Sequence, residues 1–108
     1  MIMEIGAKEN LTEFFSTYFH EDWDVYGTSW KDVLGHYVSE HSNNDILETA
    51  NALNHLAMLL PYDADDACEL IDNFGNYYYY PNDGLTARQW IRDMAGYLVN
   101  ESKRIKDL

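Results

Sequence analysis

The sequence predicts an all-α fold, a single compact bundle of about five helices spanning residues 1–108 as one domain. Three observations predict it. Apolar residues recur at helical spacing in five separate stretches. Both prolines, Pro61 and Pro81, fall between those stretches, where a missing backbone N–H does no damage. The one segment with strand character, Tyr77–Tyr80, has no second such run to pair with. A chain of 108 residues, 46% hydrophobic and 15% aromatic, has one domain's length and enough apolar mass to offset its chain entropy.

The first helix is expected over about 11–20. Leu11, Phe14, Phe15, Tyr18 and Phe19 share one face, and Asn10 followed by Glu13 has the form of a capping box. The periodicity breaks at Glu21-Asp22-Trp23-Asp24-Val25-Tyr26-Gly27. The second helix starts at Trp30, with Thr28 or Ser29 as its cap. Its stripe is Trp30, Val33, Leu34, Tyr37 and Val38, and the Ser42-Asn43-Asn44 cluster ends it near His41. The third, about 45–60, is apolar enough to be central. Ile46, Ala50, Leu53, Ala57 and Leu60 step along it, and Pro61 stops it.

The fourth helix runs over about 64–74 with Asp63 as cap. Ala67, Leu70, Ile71 and Phe74 point inward, and Gly75 is placed as the stop. Residues 76–85 form a loop holding the four tyrosines and Pro81-Asn82-Asp83-Gly84. The fifth helix opens on a second capping box, Thr86 with Gln89. Trp90 or Ile91, Met94, Leu98 and Ile105 form its stripe.

Nineteen acidic residues against seven basic ones give a net charge of −12. That field repels phosphate backbones and anionic headgroups, so no direct nucleic-acid or membrane-surface binding is expected. It attracts basic proteins and speeds encounter with them, although a charge of this size also serves solubility alone. Between Lys31 and Arg88 there is no Lys or Arg, while Arg88, Arg92, Lys103, Arg104 and Lys106 crowd the last segment. Some of these cations are expected to pair with the acidic body or to sit at the helix C-terminus. No apolar run approaches a membrane span, and the N-terminus lacks the layout of a secretory signal. Cys68 is the only cysteine, so an intrachain disulfide is impossible and a reducing cytoplasm fits.

Motifs for catalysis are weak. In His20-Glu21-Asp22-Trp23-Asp24 consecutive ligands on a turn point apart, so no metal site is expected. Trp23 should pack inward, Asp22 or Asp24 cap a turn, and His20 pair with a carboxylate. His36 and His41 are five apart and should not share a helix face. The calcium-loop positions after Asp63 are filled by Ala67, Cys68 and Phe74, which cannot serve as ligands there. Cys68 lies next to inward positions and reads as a buried, inert thiol. No phosphate loop or nucleophile elbow occurs. The reading is of a binding protein without cofactor and not of an enzyme.

Tyr18-Phe19-His20-Glu21-Asp22-Trp23-Asp24 resembles a signature in the immunity proteins of bacterial contact-dependent growth inhibition systems. The resemblance implies a cytoplasmic protein that binds and neutralises a cognate toxin C-terminal domain in a 1:1 complex. It also implies that Tyr18, Phe19, His20, Asp22 and Trp23 are structural, since specificity must vary between cognate pairs. Many such toxins are nucleases with basic clefts, and an RNase A-like enzyme is the specific expectation. The resemblance supplies no interface residues. On physical grounds the contact surface is expected at Asp63, Asp65, Asp66, Glu69 and Asp72 on the fourth helix, with Tyr77, Tyr78, Tyr79, Tyr80 and Asp83 beside it, although one or two of the four tyrosines are expected to face the core. Carboxylates next to tyrosine rings suit Lys and Arg. The alternatives are a plain solvated helix face and a loop whose rings cover the bundle end. The competing function is an acidic nucleic-acid mimic or adaptor that engages another basic protein.

Overall fold

The computed structural model describes residues 5–106 and contains five α-helices with no strand among them. They are α1 (Ile5–Tyr18), α2 (Trp30–Glu40), α3 (Asn43–Leu59), α4 (Ala64–Asp72) and α5 (Ala87–Lys106). Short 3-10 turns occupy Trp23–Tyr26 and Tyr80–Asp83. α3 and α5 make the most extensive pairing, and α1, α2 and α4 pack around it. The all-α expectation therefore holds.

Four of the five helices keep the expected apolar stripe. Leu11, Phe14, Phe15 and Tyr18 are buried on α1, all five stripe residues are buried on α2, and Ile46, Ala50, Leu53, Leu56 and Ala57 on α3. α5 buries both Trp90 and Ile91, then Met94, Ala95 and Leu98. On α4 only Ala67 and Ile71 are buried, whereas Leu70 and Phe74 are half-buried. α4 is short, and one side of it is the protein surface.

The start of α1 differs from the sequence reading. The helix begins by Ile5, so Asn10 lies inside it and is no cap. Instead Asn10 Oδ1 accepts from Thr49 Oγ1 of α3 at 3.0 Å. The first turn and a half carries no stripe of large apolar residues: Ile5 is 76% exposed, and it is the small Ala7 that packs against the core. At the other end α1 stops at Tyr18 and not at His20. His20 Nδ1 accepts the Asp22 backbone N–H at 2.9 Å, and among the described residues His20 makes no ion pair with a carboxylate. The Asp22 side chain makes no cap bond either.

The remaining caps follow the sequence closely. Ser42 Oγ accepts from the Asp45 N–H at the start of α3. Asp63 Oδ1 accepts from the N–H groups of Asp65 and Asp66 at 2.9 and 3.0 Å, opening α4. Thr86 and Gln89 exchange both bonds of a capping box before α5. At α2 the bond comes from within the helix: Thr28 donates its backbone N–H and its hydroxyl to Asp32 Oδ2. Those bonds hold the Asp32 carboxyl below its ordinary pKa. Gly27 precedes them at φ 149°, and a Cβ there would lie 2.3 Å from Asp32 Cβ. No side chain fits.

Trp90 is the hub of the core. Tyr78 and Tyr80 stack on it at 5.4 and 5.1 Å, both within 18° of parallel. Phe19 meets it edge-on at 5.5 Å. The Trp90 indole N–H is buried without an acceptor among the described residues. Its desolvation costs about 1–3 kcal/mol, which the surrounding ring contacts, each worth about 0.5–1.5 kcal/mol beyond area burial, offset.

Candidate partner-binding face

The site is built on α4 and the tyrosine segment that follows it. Asp63 starts the helix, and its first turn carries Asp65 and Asp66 at the positive dipole end. Asp63, Asp65, Asp66, Glu69 and Asp72 are all exposed. Among the described residues none of them is ion-paired with a Lys or Arg. Two cations of α5 go elsewhere. Arg88 donates to the carbonyls of Ala57 and Leu60 at 3.0 and 2.9 Å, neutralising the C-terminal end of α3 rather than of its own helix. Arg104 pairs with Glu101 one turn earlier on α5. The expected pairing of these cations with the acidic body does not occur among the described residues, and the α4 carboxylates stay available.

After α4 the chain turns at Gly75, whose φ of 102° and 3.0 Å approach to Ser16 Cβ leave no room for a side chain. Tyr77 N–H then donates to Phe19 O at the end of α1, at 2.7 Å. From there the segment alternates. Tyr78 and Tyr80 point in, whereas Tyr77 and Tyr79 stand 63% and 61% exposed. An extended backbone sends successive side chains to opposite faces, so only two of the four tyrosines belong to the surface. Tyr78 and Tyr80 form core, and as contact residues they are corrected. The Tyr78 hydroxyl donates to Asp83. Burial, and after it that carboxylate, push its pKa up to about 12. Asp83 is exposed and spends one oxygen on this bond.

The signature residues explain why the segment sits where it does. Phe19 and Trp23 rest against the Tyr78 ring, both edge-on, at 5.8 and 4.6 Å. Phe19 also accepts the Tyr77 N–H. Tyr18 is buried and donates to Glu40 at 2.8 Å. Burial first, and then Glu40, raise its pKa. His20 is half-buried, edge-on to Tyr26 at 5.9 Å, and Asp22 is exposed.

Tyr79 and Cys68 both line two surface grooves of about 540 Å³ each. One lies towards Tyr62 and Arg88, the other towards Asp72 and Tyr77. Cys68 is half-buried rather than buried. Its thiol pKa is raised, by burial foremost, which leaves it a poor nucleophile at neutral pH. Sequence reasoning missed Tyr62, 98% exposed with the Arg88 guanidinium 5.6 Å from its ring centre. The available signal was an aromatic residue in a helix connection, outside every stripe. It also missed the convergence of His36 and His41 on Tyr18, with ring centres at 6.2 and 5.9 Å. His41 is no longer helical, at φ −124° and ψ 154°, so helical spacing does not govern where it points.

A small helical domain whose anionic helix and tyrosines are left open to solvent has the features of a protein-binding module. A family model described as the CdiI immunity protein matches residues 7–98, and the chain belongs to that family, the immunity proteins of contact-dependent growth inhibition. The resemblance read at residues 18–24 is thereby upheld. No curated protein and no solved structure matches the chain significantly. Among the described residues no helix is long and apolar enough to cross a membrane.

Proposed function

We propose that this immunity protein acts as a stoichiometric, non-enzymatic inhibitor of its cognate toxin. It binds the basic toxin domain one to one in the cytoplasm of the producing cell and its siblings, and covers a nuclease active-site cleft. Asp65, Asp66, Glu69 and Asp72 supply the charge, and Tyr77 and Tyr79 supply the anchors. The observation that carries this reading is the open α4 face: exposed carboxylates beside exposed rings, with the cations of α5 committed to other partners or absent from its ion pairs.

Rim carboxylates set the rate of encounter, and buried rings set the rate of escape. Two sizeable aromatic anchors also order at little entropy cost, since each ring has only two torsions to fix. The test is co-purification with the toxin domain encoded beside it, followed by nuclease assays with and without this protein. Inhibition should saturate at one equivalent, and association should slow steeply as salt rises while dissociation changes less. An association rate indifferent to salt refutes the electrostatic part. Binding without loss of nuclease activity refutes coverage of the cleft.

A further inference from the structure

Where the α3–α4 connection meets the tyrosine segment and the start of α5, a groove of about 540 Å³ opens beside the α4 carboxylates. Its floor is apolar: Leu60, Ala67, Tyr80 and Ala87 line it, and all four are buried. Two of its lining rings face solvent, Tyr62 at 98% exposed and Tyr79 at 61%. Tyr62 takes no part in the core, so packing within the chain does not account for an aromatic residue there. The groove is held in shape from within. Pro61 and Pro81 stiffen the two connections that border it. Arg88 ties the start of α5 to the end of α3 through the carbonyls of Ala57 and Leu60. Among the described residues that line the groove, Asp65 is the one carboxylate and Arg88 the one cation.

We infer that this groove receives one large apolar side chain of the toxin domain, seated between Tyr62 and Tyr79, and is the desolvated centre of the complex. The inference rests on the reading of the α4 face, with which the groove shares Asp65 and Tyr79. Exposed carboxylates speed encounter but hold a partner weakly; slow escape needs an anchor in a pocket that excludes water. A cation in this groove would enter beside the Arg88 guanidinium, which its two carbonyl bonds keep from withdrawing. A carboxylate would meet Asp65 and the negative field of the whole chain. An apolar side chain strands nothing. Arg88 is already bonded, the Tyr80 hydroxyl and the Cys68 thiol hydrogen-bond to each other, and Asp65 stays exposed at the edge. The arrangement has an apolar centre and a charged rim, the anatomy of a specific interface.

The test measures association and dissociation rates of the intact protein with its toxin domain at low and high salt. Ala64 is exposed and lines the groove at the first residue of α4, so Ala64→Trp fills the groove without entering the core. Tyr62→Ala removes one of its sides. Each variant should speed dissociation by roughly tenfold or more, equally at both salt concentrations, and leave association and the melting temperature as in the parent. Should Ala64→Trp lower the melting temperature, Tyr62→Ala decides. Unchanged dissociation in a stably folded variant overturns the inference. So does a loss that shrinks as salt rises, since that marks a cation in the groove. Asp65→Lys with Asp66→Lys separates this failure from that of the wider reading. If that pair still slows association, the groove alone is refuted. If it too changes nothing, the α4 face is refuted and the groove with it.

Discussion

Within residues 77–80 four identical side chains have two fates. Tyr78 and Tyr80 are 6% and 4% exposed and stack on Trp90, whereas Tyr77 and Tyr79 stand out beside α4 at 63% and 61%. One residue of register separates a core ring from a surface ring. The outer pair is therefore held in place from within, because Tyr78 packs against Trp90, Phe19 and Trp23, and Tyr80 stacks on Trp90. A contact surface built on a well-packed segment loses little entropy on binding. The two pairs should consequently respond to substitution in opposite ways.

The largest expected effect is on the inner pair. Tyr78→Ala removes a ring from the Trp90 stack and leaves a cavity, so chemical denaturation should report a loss of about 3–5 kcal/mol. Tyr78→Phe keeps the ring and forfeits only the bond to Asp83, at about 1 kcal/mol. The same hydroxyl gives a pH signature. A tyrosine whose folded pKa lies near 12, against about 10 when unfolded, contributes stability that is complete below pH 10 and lost as pH rises towards 12. Alkaline unfolding should fall in that window and shift to lower pH in Asp83→Asn. Stability that stays flat to pH 12 would show that Tyr78 titrates alike in the folded and unfolded states and that Asp83 and burial do not hold its proton.

Next in size is binding by the outer face. Tyr79→Ala should weaken the toxin complex by about 2 kcal/mol, roughly thirtyfold, if the ring is an anchor. Asp65→Lys with Asp66→Lys should cost well beyond the roughly 0.5 kcal/mol typical of surface changes, chiefly through slower association. Unchanged affinity in both variants moves the interface off α4.

Much of the fold was legible because burial imposes a period. The stripes on α2, α3 and α5 and the caps at Ser42, Asp63 and Thr86 follow from local chemistry that tertiary contacts did not override. The errors share a cause. Asn10 and Glu13 fit a capping box, but the choice between cap and helix interior was decided by Thr49, thirty-nine positions away. The first turns of α1 show no stripe because the one residue of theirs packed against the core is the small Ala7. At the candidate site the acidic residues were legible from composition, since exposed carboxylates need no partner to stay where they are. The division of the tyrosines was not, because identical residues carry no phase; Trp90 and the Gly75 turn set it. The role of Arg88 was not legible either: a dipole argument names a helix end, but the end it serves, that of α3, depends on packing.

A smaller effect tests the base of the face. Asp63→Ala removes the acceptor for two N–H groups of α4 and should cost about 1 kcal/mol by thermal or chemical denaturation. It should also loosen the helix that carries Asp65 and Asp66, so affinity should fall slightly with stability. Asp63→Asn keeps an acceptor oxygen and should restore most of both.

The smallest expected effect is the sharpest test of the comparison. Tyr77→Ala and Tyr79→Ala should each leave unfolding free energy within about 0.5 kcal/mol of the parent, because an exposed ring leaves no cavity behind. Tyr77 keeps its N–H bond to Phe19 O whatever its side chain. The pairing of results matters more than either alone. Tyr79→Ala must hold stability while losing affinity, and Tyr78→Ala must lose stability first. If Tyr79→Ala instead unfolds the protein as readily as Tyr78→Ala, the ring is a structural cover for the end of the bundle, and the anchors of the complex must be sought among other exposed side chains, with Tyr62 the first candidate.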